Sequence, residues 1–392
     1  MTRPVPAAPL ASFYFCYFAF LGAYAPFWPL YLKSVGMSAA QIGTLLSLVP
    51  ITRVVGPALW GWLADHRGRR VPVVKLTSVA TLIAFCGAFA GTSYAWLFCV
   101  MLVMNAFWCG SLPLVEATTM AHLGDRVADY GRIRAWGSVG FVAVVVAAGY
   151  LLDAAGVGSL LWLIAVLLAL HAASSFAVPE APPHVHHEQV QGILQILRQP
   201  PVLALFAGCF LMSVSHGPYH TFYSIWLVEH GYTKAHVGWL WALGVISEIV
   251  VFFYWTRLTS RFDARALLLA AYAIACMRFA AIGWLPDSVT MIVAGQVAHA
   301  ATFGVFHGSA VALTHRFFRG RHQSKGQALY SGIGFGAGGA VGGLAAGFLW
   351  DHTGGAWTFT AGAAAGLAAF AVTWRWLRVP LAGSRAVRAV QG

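Results

Sequence analysis

The chain is 392 residues long, 59% hydrophobic and only 9% charged, with a formal net charge of +12. Soluble domains average roughly 45–50% apolar and about 25% charged residues, so this composition excludes a soluble globular enzyme and marks a polytopic membrane protein. The positive charge does not point to nucleic acid, because the basic residues flank apolar runs singly or in small groups and no groove-reading motif accompanies them.

A helix needs about 20 apolar residues to cross the hydrocarbon. Twelve such runs are predicted, over residues 10–33, 39–64, 71–91, 95–120, 133–153, 157–178, 200–228, 236–257, 265–285, 289–313, 328–350 and 355–377. Unbroken apolar stretches such as 160–170 are incompatible with the alternating segments of about 10 residues found in β-barrels. The predicted fold is therefore all-α, and the first run is too long for a signal-peptide core.

In chain order, the first span carries Tyr24 and Trp28, aromatic candidates for a cargo pocket, and the second carries Arg53 deep within it. The second ends in Gly61-Trp-Leu-Ala-Asp65-His-Arg67-Gly68-Arg69-Arg70. Glu116 lies near the end of the fourth span, and the fifth opens on Asp129-Tyr-Gly-Arg132-Ile-Arg134-Ala-Trp-Gly-Ser-Val-Gly-Phe141. With a rise of 1.5 Å per residue, Glu116 and Arg134 are predicted to meet roughly 5–9 Å inside the membrane edge. A snorkelling anchor needs only one arginine; Arg132 supplies it, and Arg134 is left to turn inward. Phe141 offers an aromatic face further along the same span.

The segment 179–188 is the longest polar stretch and reads as a linker, its His184, His186 and His187 solvated rather than metal-bound because no scaffold orients them. The predicted organisation is a first six-helix bundle over 1–181, a linker over 182–198 and a second bundle over 199–392. In the second half, Tyr219, Tyr223 and Trp239 are further pocket aromatics. Glu248, Arg278, His299 and His307 are ionisable residues inside spans. A charge at the centre of a membrane helix costs about 2.5–3.5 kcal/mol on insertion scales, so such residues are functional candidates by default. The six cysteines fall inside spans without ligand spacing and read as packing residues; no metal site is expected.

The halves repeat. A shift of 195 residues matches 13 of the 42 positions from 22 to 63, including Gly22, Gly36, Gly43 and Trp60 on Gly217, Gly231, Gly238 and Trp255. It also puts Arg53 opposite Glu248. Two parallel six-helix repeats are the plan of transporters whose site lies near the midplane between halves that rock. If the N-terminus is cytoplasmic, only Lys33 and Lys234 fall in loops on the far side. The positive-inside rule then predicts that both termini are cytoplasmic, in a bacterial inner membrane.

The Gly61–Arg70 segment resembles the signature loop of the major facilitator superfamily. The resemblance implies gating roles for Asp65, Arg67 and Arg69 or Arg70. Glu116 and Arg134, at their spacing, are similar to the sugar-binding Glu and Arg on the fourth and fifth helices of the lactose permeases. Arg278 and His299 resemble the coupling residues there. Thr302 stands where the proton-carrying glutamate of those permeases would be, Val245 replaces another glutamate, and Glu248 follows one helical turn later. Together with Arg53, Thr302 and His307, this pattern looks more like the phenylpropionate permease family, which is related to the lactose permeases and the nucleoside:proton symporters.

The expected function is secondary active transport, with proton-coupled uptake of a small organic acid such as an aromatic or phenylpropionate-like carboxylate. Arg134 and Arg278 would grip the carboxylate through paired donors. Proton carriage falls to Glu248 or Glu116, with Glu248 preferred for the proton and Glu116 for organising Arg134; His299, whose imidazole titrates near operating pH, is the other carrier, and His307 joins the proton-coupling residues. The rival is a neutral sugar or nucleoside symporter, in which Glu116 and Arg134 would bond hydroxyls. No nucleotide loop or catalytic triad is present, so an enzyme is not expected. The expected partners are the cargo, protons and membrane lipid, with the proton gradient in place of a cofactor, and a monomer is sufficient.

Overall fold

The computed structural model describes residues 5–181 and 193–378, and within them every regular element is helical. Eleven segments are long and apolar enough to cross a membrane. The last, Gln323–Trp376, is 54 residues long and is broken at Gly354, whose φ of 79° and ψ of 176° lie outside the helical range. It thus makes two crossings, and the twelve predicted spans are present. Spans 1 to 6 are Ala7–Ser34, Ala39–Arg67, Val71–Phe89, Tyr94–Leu123, Val127–Ala155 and Ser159–Ala177. Spans 7 to 10 are Pro200–Glu229, Lys234–Phe253, Ala264–Trp284 and Val289–Phe317. Spans 11 and 12 are 323–353 and 355–376. The middle of the predicted linker, with His184, His186 and His187, lies outside the described residues, as do Arg3, Arg385 and Arg388.

Large apolar side chains cover the outside of the bundle. Ile83, Trp162, Phe253 and Met277 are each more than three-fifths exposed, a surface suited to lipid and not to water.

The sequence repeat becomes a structural repeat at the helix starts. Spans 2 and 8 begin on Ser38 and Thr233, 195 residues apart. Their hydroxyls each accept a 3.2 Å hydrogen bond from the backbone N–H three residues on, at Gln41 and His236, in complete capping boxes. Further along, the matched tryptophans Trp60 and Trp255 lie over Gly110 of span 4 and Gly308 of span 10, against which no larger side chain would fit. Trp60 also donates from Nε1 to the Ala106 carbonyl at 2.7 Å.

Three helices are not uniform. Span 7 is two helices, Pro200–Ser215 and Gly217–Glu229, that meet at His216. Spans 10 and 11 contain π-helical stretches, Ala300–Val305 and Ser331–Gly338. Such widened turns recur at functional sites because they displace side chains from α-helical register. Thr302 lies within the first and His299 directly precedes it.

The halves meet where span 2 packs on span 11, span 5 on span 8 and span 1 on span 7. A Cβ on Gly43 would come within 2.6 Å of the Gly343 carbonyl oxygen, and one on Gly238 within 2.5 Å of the Val145 oxygen. These two glycines, matched by the repeat, are what lets the backbones approach so closely. The same end of the molecule, opposite the N-terminus, carries three polar clasps between the halves. Asp351 accepts from the Ala39 and Ala40 backbone N–H groups at 3.0 and 2.8 Å. Asp153 accepts from those of Lys234 and Ala235 at 3.0 and 2.8 Å. Lys33 pairs with Glu229.

Candidate functional site

Ionisable side chains gather in two places, one in each half. In the second half, the 2.7 Å pair of His299 Nε2 and Glu248 Oε1 joins span 10 to span 8. Arg278 of span 9 is 3% exposed and is held by short bonds, Nε–H to the Gly295 carbonyl at 2.7 Å and Nη1 to Thr302 Oγ1 at 2.9 Å. Its guanidinium lies 4.3 Å from the Tyr219 ring centre. Tyr219 in turn donates to Gln296 Oε1 at 3.2 Å and packs 4.8 Å from Tyr223 and 5.3 Å from His299, ring centre to ring centre. Spans 7, 8, 9 and 10 thus converge on a buried imidazole and guanidinium and a half-buried carboxylate. A buried charge stripped of its partner is strongly destabilising; here Glu248 and His299 face each other, and Arg278 is held by a carbonyl and a hydroxyl. His307 lies two helical turns beyond His299, where its Nδ1 is 2.9 Å from the Tyr330 hydroxyl.

In the first half, Arg134 Nε is 3.9 Å from Glu116 Oε1, at the outer limit of an ion pair. The Tyr130 hydroxyl donates to the same oxygen at 3.4 Å. The guanidinium lies 4.0 Å from the Phe18 ring centre and 5.6 Å from that of Tyr14, in the range of cation–π attraction. The predicted meeting of spans 4 and 5 is therefore present, and span 1 supplies the aromatic surface under it. Arg132 points away, its side chain 87% exposed and 3.8 Å from Asp129.

The predicted aromatics divide. Tyr24 and Trp28 are buried in one stack on span 1, rings 5.7 Å apart, with Trp28 Nε1 donating to the Met101 sulfur. Phe141 is buried with its carbonyl against Gly22. Trp239 is not with the others. It is 52% exposed and donates to the Tyr150 hydroxyl at 3.2 Å across the seam between spans 8 and 5. The reason is helical geometry: Gly238 must face span 5 closely, which turns the next residue to the rim. Trp239 is accordingly removed from the pocket candidates.

At the signature loop, Asp65, Arg67 and Arg69 are exposed and Arg70 is half-buried at the start of span 3. Glu180, within the segment expected to be linker, is docked there instead. It accepts from the Arg70 and Val71 backbone N–H groups at 2.9 and 3.1 Å and lies 3.8 Å from Arg69 Nε. A carboxylate at a helix start meets unpaired N–H groups and the positive end of the helix dipole.

Sequence reasoning missed Glu180, Asp153 and Asp351. A signal existed for the last two, since Leu151-Leu-Asp153-Ala-Ala-Gly156 and Leu349-Trp-Asp351-His-Thr-Gly354 share Leu-x-Asp-x-x-Gly. Their offset is 198 residues, so an ungapped shift of 195 passes over them.

Residues 8–361 match the model of the MFS_1 like family. The chain is 29% identical over 354 residues to the Escherichia coli (strain K12) protein named "Probable 3-phenylpropionic acid transporter", covering 88% of this chain and 91% of that one. It is also 29% identical over 348 residues to the maltose permease of Geobacillus stearothermophilus, covering 87% and 86% respectively. The crystal structure of the nucleoside transporter NupG superposes with a TM-score of 0.81 at 17% identity, over 94% of this chain and 99% of that one. At that identity the likeness is one of fold.

Proposed function

Because the chain belongs to the MFS_1 like family and is an integral membrane transporter of the major facilitator type, we propose that it is a proton symporter that imports a small aromatic carboxylic acid. The observation that carries this reading is the Glu248–His299 pair at 2.7 Å, beside Arg278 and between helices of the second half. A carboxylate oxygen and an imidazole nitrogen at that distance hold one proton between them, and the pair can release it only when its geometry changes. Movement of span 10 relative to span 8 separates the partners, which couples proton release to the conformational cycle. His307 lies further along span 10 toward the N-terminal face and continues the proton path.

The cargo lies between the halves, oriented by Arg134 with Glu116 on one side and by Arg278 with Tyr219 on the other. Glu116 organises Arg134, and Glu248 carries the proton. An acid is favoured over a neutral solute by the excess of guanidinium over carboxylate among the intramembrane residues. The relative named for 3-phenylpropionic acid, which resembles nearly the whole chain, supports the same choice. The basic loops on the N-terminal face support a cytoplasmic placement of both termini in a bacterial inner membrane, where Asp65, Arg67, Arg69 and Arg70 act at the gate of that face. The covalently joined halves function as a monomer.

A second reading, uptake of a neutral sugar or nucleoside, is favoured by the Glu116–Arg134 pair, which can accept from and donate to hydroxyls, and by the maltose permease relative. Proteoliposomes offered 3-phenylpropionate, maltose and a nucleoside in turn, with external pH recorded, distinguish the two. We expect alkalinisation of the outside on adding the acid alone, and its loss in Glu248→Gln while counterflow of the acid persists. Alkalinisation with maltose or the nucleoside alone would establish the second reading instead.

A further inference from the structure

Arg53 lies midway along span 2, at the level where an unpaired charge is most costly in a membrane, and among the described residues no carboxylate lies within salt-bridge distance of it. Its guanidinium is 5.2 Å from the ring centre of Trp108 on span 4, which is 1% exposed and stacked 5.0 Å from Tyr17 of span 1. Span 4 therefore backs it on one side, with span 1 packed behind Trp108. In the second half, His220 of span 7 stands beside Tyr219, ring centres 5.3 Å apart. Span 2 packs against the second helix of span 7, Gly217–Glu229, which carries His220. Both Arg53 and His220 are exposed, although each lies within a membrane-spanning helix.

The other deep guanidinium groups are engaged. Arg278 bonds Gly295 and Thr302, and Arg134 faces Glu116. Of the three, Arg278 is buried and Arg134 half-buried, and Arg53 is the exposed one. We propose that Arg53, held by Trp108, lines a crevice between the halves with His220 across from it, where it is the anchor for the anionic group of the cargo and sets the preference for a carboxylate over a neutral isostere. This rests on the organic-acid reading and names the residue that recognises the charge. A carboxylate between Arg53 and His220 links spans 2 and 7, and so ties cargo binding to the approach of the two halves. Arginine suits the task because its planar fork offers two parallel donors to one carboxylate.

The test is binding of 3-phenylpropionate and of 3-phenylpropanamide to the purified full-length protein, by titration calorimetry, in the wild type, Arg53→Gln, Arg53→Lys and Arg132→Gln. In the wild type the acid should bind at least about tenfold more tightly than the amide, as expected for a charge-assisted pair. Arg53→Gln should bring the acid down to the level of the amide and leave the amide unchanged. Arg53→Lys, which keeps the charge but not the fork, should fall between, and Arg132→Gln should match the wild type. An acid-to-amide ratio in Arg53→Gln equal to that of the wild type would overturn the proposal. So would equal loss of both ligands, which would make Arg53 a structural residue. A wild type that binds neither compound would instead refute the organic-acid reading on which the proposal stands.

Discussion

Arg132 and Arg134 are two residues apart on the same helix and meet opposite surroundings. Two residues advance an α-helix by about 200°, so the side chains leave on opposite faces. Arg132 stays outside at the level of Asp129, while Arg134 turns to Glu116 and Phe18. Arg132→Gln is expected to lower membrane yield at most, with cargo affinity as in the wild type. Arg134→Gln is expected to weaken cargo binding at least about tenfold, the order of a lost hydrogen bond to a charged group, in protein that still reaches the membrane. Quantifying the inserted protein and its affinity separately checks both, and wild-type affinity in Arg134→Gln would remove it from the site. At this scale much was legible, because charged residues in apolar runs are few and helical rise limits which can meet. Trp239 was misassigned because residue type alone does not say which side of a helix faces a neighbour; the deciding fact was the tight seam at Gly238.

Each half of the clasp is a carboxylate at a helix start, and its strength follows from that position. Asp351 engages the first backbone N–H groups of span 2, and Asp153 those of span 8. Ser38 and Thr233 already cap the same helices locally, so the aspartates satisfy donors that the caps leave open. Losing an N-terminal capping carboxylate costs about 0.5–2 kcal/mol. Asp351→Ala and Asp153→Ala are each expected to cost that much in closure of this end, seen as faster labelling of a cysteine placed at Gln41 or at His236. Labelling rates equal to those of the parent would show that the clasps do not hold the halves together. Twelve spans, their order and the internal repeat were legible at the level of elements because helix length and apolar content are written locally. The docking of Glu180 and the two clasps was not, because each pairs a side chain with backbone donors that carry no mark in the sequence.

The molecule as a whole is joined at one end. From Lys33 and Glu229 through Ala39 and Asp351 to Gly43 and Gly343, contacts between the halves follow the part of span 2 that leads away from the end opposite the N-terminus, and spans 5 and 8 repeat the arrangement at Gly149 and Gly238. The halves are therefore clasped together at the end opposite the N-terminus, and rocking of two parallel repeats about a site between them requires these seams to part. Gly43 and Gly238 set how closely the seams can shut. A leucine at either would place side-chain atoms against a carbonyl that a Cβ alone would already crowd, an overpacking worth about 1–3 kcal/mol. The combined Gly43→Leu and Gly238→Leu variant should shift the population toward the state open at this end. Spin labels on Val35→Cys and His230→Cys, in a background lacking the six native cysteines, report the change as a longer distance between the halves. An unchanged distance distribution would mean that the seams tolerate the added volume and do not govern opening. Because the two glycines are related by the repeat, either single substitution should produce part of the same shift, whereas a leucine at Gly61, where a Cβ would meet nothing within 4 Å, should produce none.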